Sequence, residues 1–369
     1  MRPSEAQMSL ALPELTSAST PFLASFPERA KRYPRLRYMG NKNKLLPWIW
    51  ETLVELDFDS ALDLFSGTAA VGYLFKAMGK RVVTNDFLKF AHDLATATIA
   101  NDSVMLSDAQ VADLGRPRRG RRFFIEKTFS GIFFTKDDLR FLDVVSANLG
   151  ELPDPNQRAV ALASLTRACL KRQPRGVFTV TGTNYDDGRR DLRLSLADHF
   201  AESVAVFNEL VFDNGHQHAA LRGDAFTVRP GAVDLVYMDP PYVPRADDNC
   251  YIKRYHFLEG LASYWSEPGT EIVESSRVKK IPKRFTPFSY RTTATDAFER
   301  IFHKFADSTI VLSYSSNGYP DLQTLVTLLR SAKRRVDVVQ REHRYHFGTH
   351  KGVAADRKLV DEYLIIGQG

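Results

Sequence analysis

The stretch SALDLFSGTAAVGYLFKAMGKRVVTND, residues 60–86, decides the fold of this chain. Its first apolar run, Ser60–Phe65, ends in a turn of small residues, and helical spacing follows as far as Gly79. A second apolar run, Arg81–Asp86, comes directly after that helix. A strand, a helix and a second strand at this spacing predict a βαβ unit, and therefore a parallel sheet.

The same alternation of strands and helices continues on both sides of a central gap. A helix is predicted over Phe90–Ala100, and later apolar runs predict strands over Val233–Met238, Ser308–Ser316 and Asp361–Gly367. The expected fold class is α/β, with helices on both faces of one Rossmann-like sheet. Because the alternation lapses in the middle third of the chain, one core with a large insertion is favoured over two tandem domains.

The expected organisation has three parts. Residues 1–33 are a polar extension interrupted by prolines, for which disorder is one interpretation. Residues 34–105 and 216–369 form the α/β core, and the mostly helical insertion spans 106–215. Within that insertion, alternation around the letters NYDDG predicts a β-hairpin over Gly176–Leu196.

The composition is that of a globular protein. Of 369 residues, 44% are apolar and 25% are charged, which excludes a collagen-like or low-complexity chain. No apolar run is long enough to span a bilayer, and the first residues lack a signal-peptide pattern. The two cysteines, Cys169 and Cys250, fit a reducing compartment. We therefore expect a cytoplasmic protein with no membrane association.

The positive charges are clustered along the chain. A net charge of +6 is small, but the cations gather in four stretches: Arg116–Arg122, Lys171–Arg175, Arg277–Arg284 and Arg330–Arg344. Lysine and arginine neutralise phosphates, and nearby aromatic side chains can stack on bases. Each cluster can also be an ordinary solvated face. Charge alone therefore makes nucleic acid a candidate partner and no more.

The glycine turn DLFSGTAAVG, residues 63–72, is typical of a nucleotide-like ligand site. Small residues allow close approach of the backbone, and a helix N-terminus offers free N–H groups. Asp86, at the end of the second strand, can accept both hydroxyls of a ribose. This geometry serves NAD, FAD or S-adenosylmethionine, and an ordinary tight turn is the alternative. Ala69 replaces the second glycine of a dinucleotide motif, and its methyl would crowd a pyrophosphate.

The sequence VDLVYMDPPYVPR, residues 233–245, carries the most specific signal. An apolar strand runs into Asp239, Pro240, Pro241 and Tyr242, and the two prolines stiffen the loop and remove two backbone donors. A carboxylate, a free carbonyl and an aromatic face suit an exocyclic amino group on a flat ring. Holding both amino hydrogens directs the nitrogen lone pair towards an electrophile, which is positioning and electrostatic catalysis.

Together these motifs resemble those of the Dam-like class α adenine-specific DNA methyltransferases. The resemblance covers roughly 38–100 and 220–367, in the family's order of cofactor half, insertion and catalytic half. It is carried by RYMGNKNKLL (37–46), DLFSGTAAVG (63–72), TND (84–86), GDAF (223–226), DPPY (239–242) and YHFLEGLASY (255–264). The resemblance implies a methyltransferase sheet, S-adenosylmethionine as cofactor and an adenine flipped out of duplex DNA.

The expected site residues fall into three groups. The catalytic residues are Asp239, Pro240 and Tyr242. Those expected at the cofactor are Tyr38, Lys42, Asp63, Phe65, Gly67, Asp86, Asp224 and Asp239, with Asp224 at the adenine amino group. Those expected at DNA are Arg119, Arg172, Arg189, Arg190 and Lys253.

Several alternatives stay open on sequence alone. The same chemistry could act on RNA or on the amino group of cytosine, and a catalytically silent nucleic-acid binder could keep the fold. An oxidoreductase would leave the DPPY loop without a role. No metal is expected, since His343, His346 and His350 have no carboxylate at a recognisable spacing. Expected partners are double-stranded DNA and a cognate restriction endonuclease, with the chain a monomer or weak dimer.

Overall fold

The strands of the chain form one mixed sheet. The computed structural model describes residues 25–118, 123–180, 187–243, 250–344 and 359–369. Within them, seven strands lie in the order β3-β2-β1-β4-β5-β7-β6. Their bounds are β1 Ser60–Asp63, β2 Arg81–Asp86, β3 Ala219–Arg222, β4 Leu235–Met238, β5 Thr309–Ser315, β6 Arg335–Arg344 and β7 Leu359–Gln368. The first five strands in that order, from β3 to β5, pair in parallel. β7 is antiparallel to both β5 and β6.

Helices connect and cover these strands. They are α1 Glu28–Lys31, α2 Leu46–Leu53, α3 Ala70–Ala77, α4 Lys89–Ala95, α5 Asp108–Leu114, α6 Phe124–Thr128, α7 Lys136–Asn148, α8 Pro155–Arg172, α9 Arg190–Arg193, α10 Leu196–Leu210, α11 Tyr251–Ser263, α12 Arg291–Lys304 and α13 Leu322–Ala332. A π-helical turn, Thr96–Ala100, continues α4. Among the described residues, no helix is both long and apolar enough to cross a bilayer.

The sheet is covered on both faces, as the strand pattern predicts. In β1, Ala61 packs into the apolar cluster that contains α3, α4 and α8. Its neighbour Leu62 points the other way, into the cluster that contains α12 and α13. Successive side chains of a strand alternate between faces, so each strand supplies both clusters. The prediction of helices on both faces of an α/β sheet is confirmed.

Two strands escaped the sequence analysis. The stretch Arg330–Arg344 was interpreted only as a basic cluster, but most of it forms the edge strand β6. Val336 and Val338 are its buried residues, while Arg335 and Arg341 are exposed. Exposed cations are common on edge strands because they discourage pairing with other chains. The other missed strand, β3, is short and only partly buried, so its apolar signal is weak.

The predicted β-hairpin over 176–196 is wrong for the part that the structure describes. Arg190–Arg193 form a helical turn, and residues 176–180 form bends without strand pairing. Both backbone groups of Phe178 are used by α11: its N–H donates to Arg254 O at 2.8 Å, and its carbonyl lies 2.7 Å from His256 Nε2. A backbone held by a helix is not available to a partner strand. The middle of the predicted hairpin, 181–186, lies outside the described residues.

Candidate active site

The carboxyl ends of β1, β2 and β4 open into one cleft of about 720 Å³. Neighbouring parallel strands end at the same edge of a sheet, which is where α/β proteins bind ligands. The cleft brings together residues from three separate motifs of the sequence. Of the predicted site residues, those that line it are Tyr38, Lys42, Asp63, Phe65, Gly67, Asp86 and Asp239.

The turn after β1 is tied to the end of β2 by Asp86. Its Oδ2 accepts the Gly67 N–H at 2.8 Å, and its Oδ1 accepts the Leu88 N–H at 2.9 Å. Gly67 has φ of +49°, in the left-handed region that favours glycine, and an added Cβ would lie 3.3 Å from the Tyr38 ring. Burial raises the pKa of Asp86 to about 6, even though these N–H groups stabilise its charged form.

Ala69 follows in the same turn and also has a positive φ, 60°. Its side chain is fully buried in the core and does not line the cleft. In this structure the methyl of Ala69 therefore packs in the core, and it is not among the residues that would crowd a ligand in the cleft. The residue needs the left-handed conformation for the chain to enter α3, and alanine adopts that conformation at a cost of about 1 kcal/mol or more.

Asp63 ends β1 beneath the turn. Its Oδ2 accepts the Gly72 N–H at 2.9 Å, and this bond ties the strand to α3. Burial raises the pKa of Asp63 to about 8, and the nearby charges of Asp239 and Asp86 raise it further. The cleft therefore holds three carboxyl groups close together. Their charges repel one another, so ionisation of one group makes ionisation of the others less favourable.

Asp239, the first residue of the DPPY loop, pairs with Lys42. Lys42 Nζ lies 2.9 Å from Asp239 Oδ1, and its side chain is only 7% exposed. Lys42 begins a 3₁₀ turn, Lys42–Leu45, which is capped by the Asn41 side chain at the Asn43 N–H. Burial raises the pKa of Asp239, and the charge and hydrogen bond of Lys42 oppose that rise. The cation thus favours the carboxylate form that accepts hydrogen bonds.

The remainder of the loop is partly open. Pro240 is buried, whereas Pro241 and Tyr242 are half-buried, and Pro241 lines the cleft. The Tyr242 ring centroid lies 5.2 Å from that of Tyr314 on β5. Burial raises the pKa of Tyr242 to about 12, so the phenol stays neutral. Asp239 and Pro241 therefore line the cleft, whereas the predicted catalytic residues Pro240 and Tyr242 are not among its lining residues.

A wall of tyrosines that the sequence analysis missed supports Tyr38. Its ring stacks on that of Tyr255 at 4.6 Å and 22°, and it lies 5.5 Å from the ring of Tyr251. The Met39 N–H donates to the Tyr255 hydroxyl at 2.7 Å. Tyr251 and Tyr255 are four residues apart, and that spacing places side chains on one helix face. This spacing was the available signal, because Tyr255 is the first residue of the motif YHFLEGLASY and Tyr251 lies four residues before it.

Two buried polar atoms at the cleft are suited to a ligand. Among the described residues, Ser66 Oγ and Asn85 Oδ1 have no hydrogen-bond partner. Both residues line the cleft. Asn85 is fixed from behind, since its Nδ2 donates to Leu64 O and Gly223 O, each at 3.2 Å. Buried polar atoms are normally satisfied, so unpartnered ones at a cleft fit a polar ligand.

Asp224 lies in a second cleft of about 990 Å³ that adjoins the first. The two clefts share Phe65, Phe87 and Pro241. Asp224 is exposed, and its Oδ1 accepts the Phe226 N–H at 2.8 Å. The structure thus places Asp224 next to the other predicted cofactor residues, and not among them.

Three of the predicted DNA-contact residues form ion pairs with carboxylates of the same chain. Arg172 Nε donates to the buried Asp138 at 3.0 Å, which commits this guanidinium to the helical core. Arg189 pairs with Asp187 at 2.7 Å, and the exposed Arg190 pairs with Glu202. Lys253 is half-buried in the first turn of α11. Arg119 lies outside the described residues.

Of the three histidines that were considered as metal ligands, His343 lies in β6. His346 and His350 lie outside the described residues. In the part of the chain that is described, no group of histidine, cysteine and acidic side chains could hold a metal ion. Both cysteines are free, with Cys169 buried and Cys250 half-buried.

An α/β sheet whose carboxyl edge joins a glycine turn, a buried acid and a DPPY loop defines a methyltransferase that acts on an amino group. The chain belongs to the D12 class N6 adenine-specific DNA methyltransferase family, whose family model matches residues 38–307. It is therefore an adenine-specific DNA methyltransferase, with DNA as its substrate. The alternatives of RNA, cytosine and a silent binder are set aside.

Three curated relatives are similar to most of the chain. Type II methyltransferase M2.HphI of Haemophilus parahaemolyticus is 29% identical over 331 residues, covering 85% of this chain and 93% of the relative. Modification methylase LlaI of Lactococcus lactis subsp. lactis is 24% identical, covering 89% and 54%. Type II methyltransferase M.FokI of Planomicrobium okeanokoites is also 24% identical, covering 89% and 52%. The chain spans about half the length of the last two.

Proposed function

We propose that the cleft binds S-adenosylmethionine and that the DPPY loop holds the amino group of an adenine flipped out of duplex DNA. One observation supports this most: Asp86 and Asp239 line the same cleft. A ribose-binding acid and an amine-binding acid that face one space can bring a nucleoside cofactor and a base together.

We assign the cofactor to groups that face the cleft. Asp86 accepts backbone N–H groups at both oxygens, and each oxygen keeps a second lone pair for a ribose hydroxyl. Ser66 Oγ and Asn85 Oδ1 are placed to bond the ligand's polar groups. The Tyr38 ring supplies an aromatic surface. Asp224, which lines the adjoining cleft, is assigned to the amino group of the cofactor's own adenine. When bound, this cofactor supplies a methyl group on a sulfonium sulfur.

The amine is held by the loop itself. Lys42 occupies Asp239 Oδ1, so Oδ2 is the oxygen that we assign to one amino hydrogen. The Pro240 carbonyl accepts the other hydrogen, and the Tyr242 ring stacks on the base. With both hydrogens held, the nitrogen lone pair points towards the methyl donor, and fixed dipoles stabilise the positive charge that develops on the nitrogen.

Further parts of this proposal concern recognition and partners. We assign target recognition to the insertion, 106–215, and place Arg189 and Arg190 at its DNA-facing side. Lys253 is assigned to DNA from α11 in the other part of the chain, and Arg172 is no longer assigned to DNA because it pairs with Asp138. The relatives are named as type II methyltransferases and a modification methylase, which supports pairing with a cognate restriction endonuclease. A monomer or weak dimer and a cytoplasmic location complete the proposal.

The test is incubation with tritiated S-adenosylmethionine and unmethylated plasmid DNA, followed by mapping of modified bases at single-base resolution. We expect label in adenine at one short sequence. Label confined to cytosine, or none with fully folded protein, would contradict the proposal.

A variant of the loop tests the assigned mechanism. We expect Asp239→Ala to lower the methyl-transfer rate on the order of a hundredfold or more, because an electrostatic group at the reacting amine is lost. The control is Asp296→Ala on the exposed side of α12, which should keep the full rate. Urea unfolding shows whether both variants fold, and an unchanged rate in folded Asp239→Ala would refute the mechanism.

A further inference from the structure

The segment 273–284, which we call the basic loop, is a preformed surface outside the insertion. It is closed by the Val273 N–H, which donates to Lys280 O at 2.8 Å. Val278 and Ile281 anchor it in the core, with exposures of 6% and 4%. Lys279 takes a positive φ of 51° at its turn. A loop with two buried anchors and its own internal bonds presents its remaining side chains in fixed positions.

The basic loop forms one wall of a groove of about 1010 Å³, and Thr179 and Val180 lie on the other wall. The cations that line the groove are Arg277, Lys280 and Lys283, and the lining of described residues contains no carboxylate. Val180 and Val273 add exposed apolar surface at 46% and 37%. The groove is therefore positive, and it joins the catalytic half of the chain to the insertion.

The pairing of charges separates Arg277 and Lys280 from the cations of the helical layer, although Lys279 of the same loop pairs with Glu274 at 2.9 Å. In the cluster of α8 and α9, Lys171, Arg172 and Arg190 are neutralised by carboxylates of the same helical layer. Arg118 likewise pairs with Asp113. Arg277 and Lys280, by contrast, form no ion pair with any carboxylate in the described part of the chain. Their charges are available to an external anion.

The basic loop also leads to the catalytic cleft. Its last residue, Arg284, donates to Phe87 O at 3.2 Å, and its guanidinium lies 5.4 Å from the centre of the Phe87 ring. Arg284 and Phe87 line the second cleft together with Pro241 of the DPPY loop. Phe285, 64% exposed, stacks on Tyr290 next to this position. A polymer lying in the groove would therefore pass the mouth of the cleft.

We propose that the basic loop binds the DNA backbone beside the target adenine, with Arg277 and Lys280 each contacting a phosphate. The proposal rests on the proposed function, and it moves part of the DNA-binding surface from the insertion to the catalytic half. A DNA strand fits the groove because it presents a phosphate at every residue, and because its sugars can lie against Val180 and Val273.

The test is the salt dependence of DNA binding by full-length protein, measured by anisotropy of a fluorescein-labelled duplex of arbitrary sequence. The plot of log K against log salt has a negative slope, and each lost phosphate contact reduces the magnitude of that slope by about 0.9. The double variant Arg277→Ala with Lys280→Ala should therefore reduce the magnitude of the slope by about two. It should also weaken DNA binding on the order of tenfold or more. The charge-retaining pair Arg277→Lys with Lys280→Arg should keep the slope.

The matched control removes two cations at the far side of the sheet, Arg334→Ala with Arg335→Ala. Because β6 runs parallel to β5, its amino end lies at the edge opposite the cleft. The control should leave the slope unchanged. Equal slope losses in both double variants would mean a net-charge effect and would overturn the proposal, as would an unchanged slope in the loop variant. Failure of the wild type to methylate plasmid adenine would instead refute the proposed function.

Discussion

At the scale of single residues, the pair Lys42–Asp239 connects the N-terminal motif to the catalytic loop. A carboxyl group in this position loses hydration, which favours its protonated form and raises its pKa. A protonated Asp239 would donate a hydrogen bond where the reaction needs an acceptor. Lys42 therefore does more than border the cleft, since its charge favours the ionised form of the group that we assign to the amine.

This coupling predicts a change in pH dependence. Replacing Lys42 by methionine removes the charge that lowers the pKa of Asp239, so that pKa rises. In the proposed mechanism methyl transfer requires the ionised form, so the acid limb of kcat/KM should move to higher pH by about one unit or more. Lys44→Met, an exposed position in the same 3₁₀ turn, is the control and should leave the profile in place. A superimposable acid limb in Lys42→Met would contradict this role.

Asp63 predicts a dependence of stability on pH. Its pKa is about 8 in the folded protein and 3.8 when unperturbed, so between these values the folded state binds a proton that the unfolded state lacks. The free energy of unfolding therefore falls as pH rises through that window. Asp63→Asn keeps an acceptor for the Gly72 N–H and cannot titrate. Relative to wild type, its stability should increase from pH 5 to pH 8, as measured by urea unfolding, and parallel pH profiles would refute the assignment.

At the scale of elements, the turn between β1 and α3 concentrates the backbone constraints of the site. Gly67 and Ala69 both take left-handed conformations within three residues. Glycine is needed at the first position because the Tyr38 ring approaches closely, whereas the second position faces the core. The two residues therefore answer to different demands, one from the cleft and one from packing.

Substitutions at Ala69 test this distinction. Ala69→Val should destabilise the protein by about 2 kcal/mol or more, since a branched side chain suits neither the left-handed conformation nor the filled core. Ala69→Gly relieves backbone strain and loses one buried methyl, so its stability should stay within about 1 kcal/mol of wild type. Cofactor affinity should change little in Ala69→Gly, as titration calorimetry would show. A large loss of affinity would mean that this residue contacts the ligand after all.

The strands that could be predicted from sequence are those in which several consecutive residues are apolar. The strands β1, β2, β4, β5 and β7 are apolar runs, and each was predicted. In β6 only Val336 and Val338 face inward among cations, so the run reads as a basic cluster. The hairpin prediction failed because Phe178 binds to α11, more than seventy residues further along the chain.

The candidate site was predictable to the extent that its motifs are local. Tyr38, Gly67, Asp86 and Asp239 each belong to a short motif, and the sheet brings them to one cleft. The ion pair of Lys42 with Asp239 joins two motifs, and no spacing within either one announces it. The neutralisation of Arg172 and Arg190 likewise depends on acids that only the folded helices bring close.

At the scale of the whole molecule, the centre of the sheet joins the two halves of the chain. β1 pairs directly with β4, although residues 64–234 separate the two strands in the sequence. At their amino ends, Asp234 Oδ2 accepts the Asp59 N–H at 3.0 Å, the Ser60 N–H at 2.8 Å and the Ser60 hydroxyl at 2.7 Å. This carboxylate connects the halves on the side of the sheet away from the cleft.

Removing this connection should weaken the whole fold. We expect Asp234→Ala to lower the free energy of unfolding by about 1–2 kcal/mol at neutral pH, a modest value because the group is exposed. These hydrogen bonds lower the pKa of Asp234 below 3.8. Its contribution is therefore present above that value and lost as pH falls through the lower folded pKa. Urea unfolding should show the difference from wild type shrinking in acid, and a difference independent of pH would contradict the assignment.

The pairing of β1 with β4 also determines when the sheet can form during translation. β1 leaves the ribosome early, yet its inner neighbour is encoded more than 170 residues later. At bacterial or eukaryotic rates of elongation, that delay is roughly ten to thirty seconds. Throughout it, one edge of β1 lacks its partner strand and is open to other chains. The hydrogen bonds between β1 and β4 therefore cannot form until about two thirds of the chain has been translated.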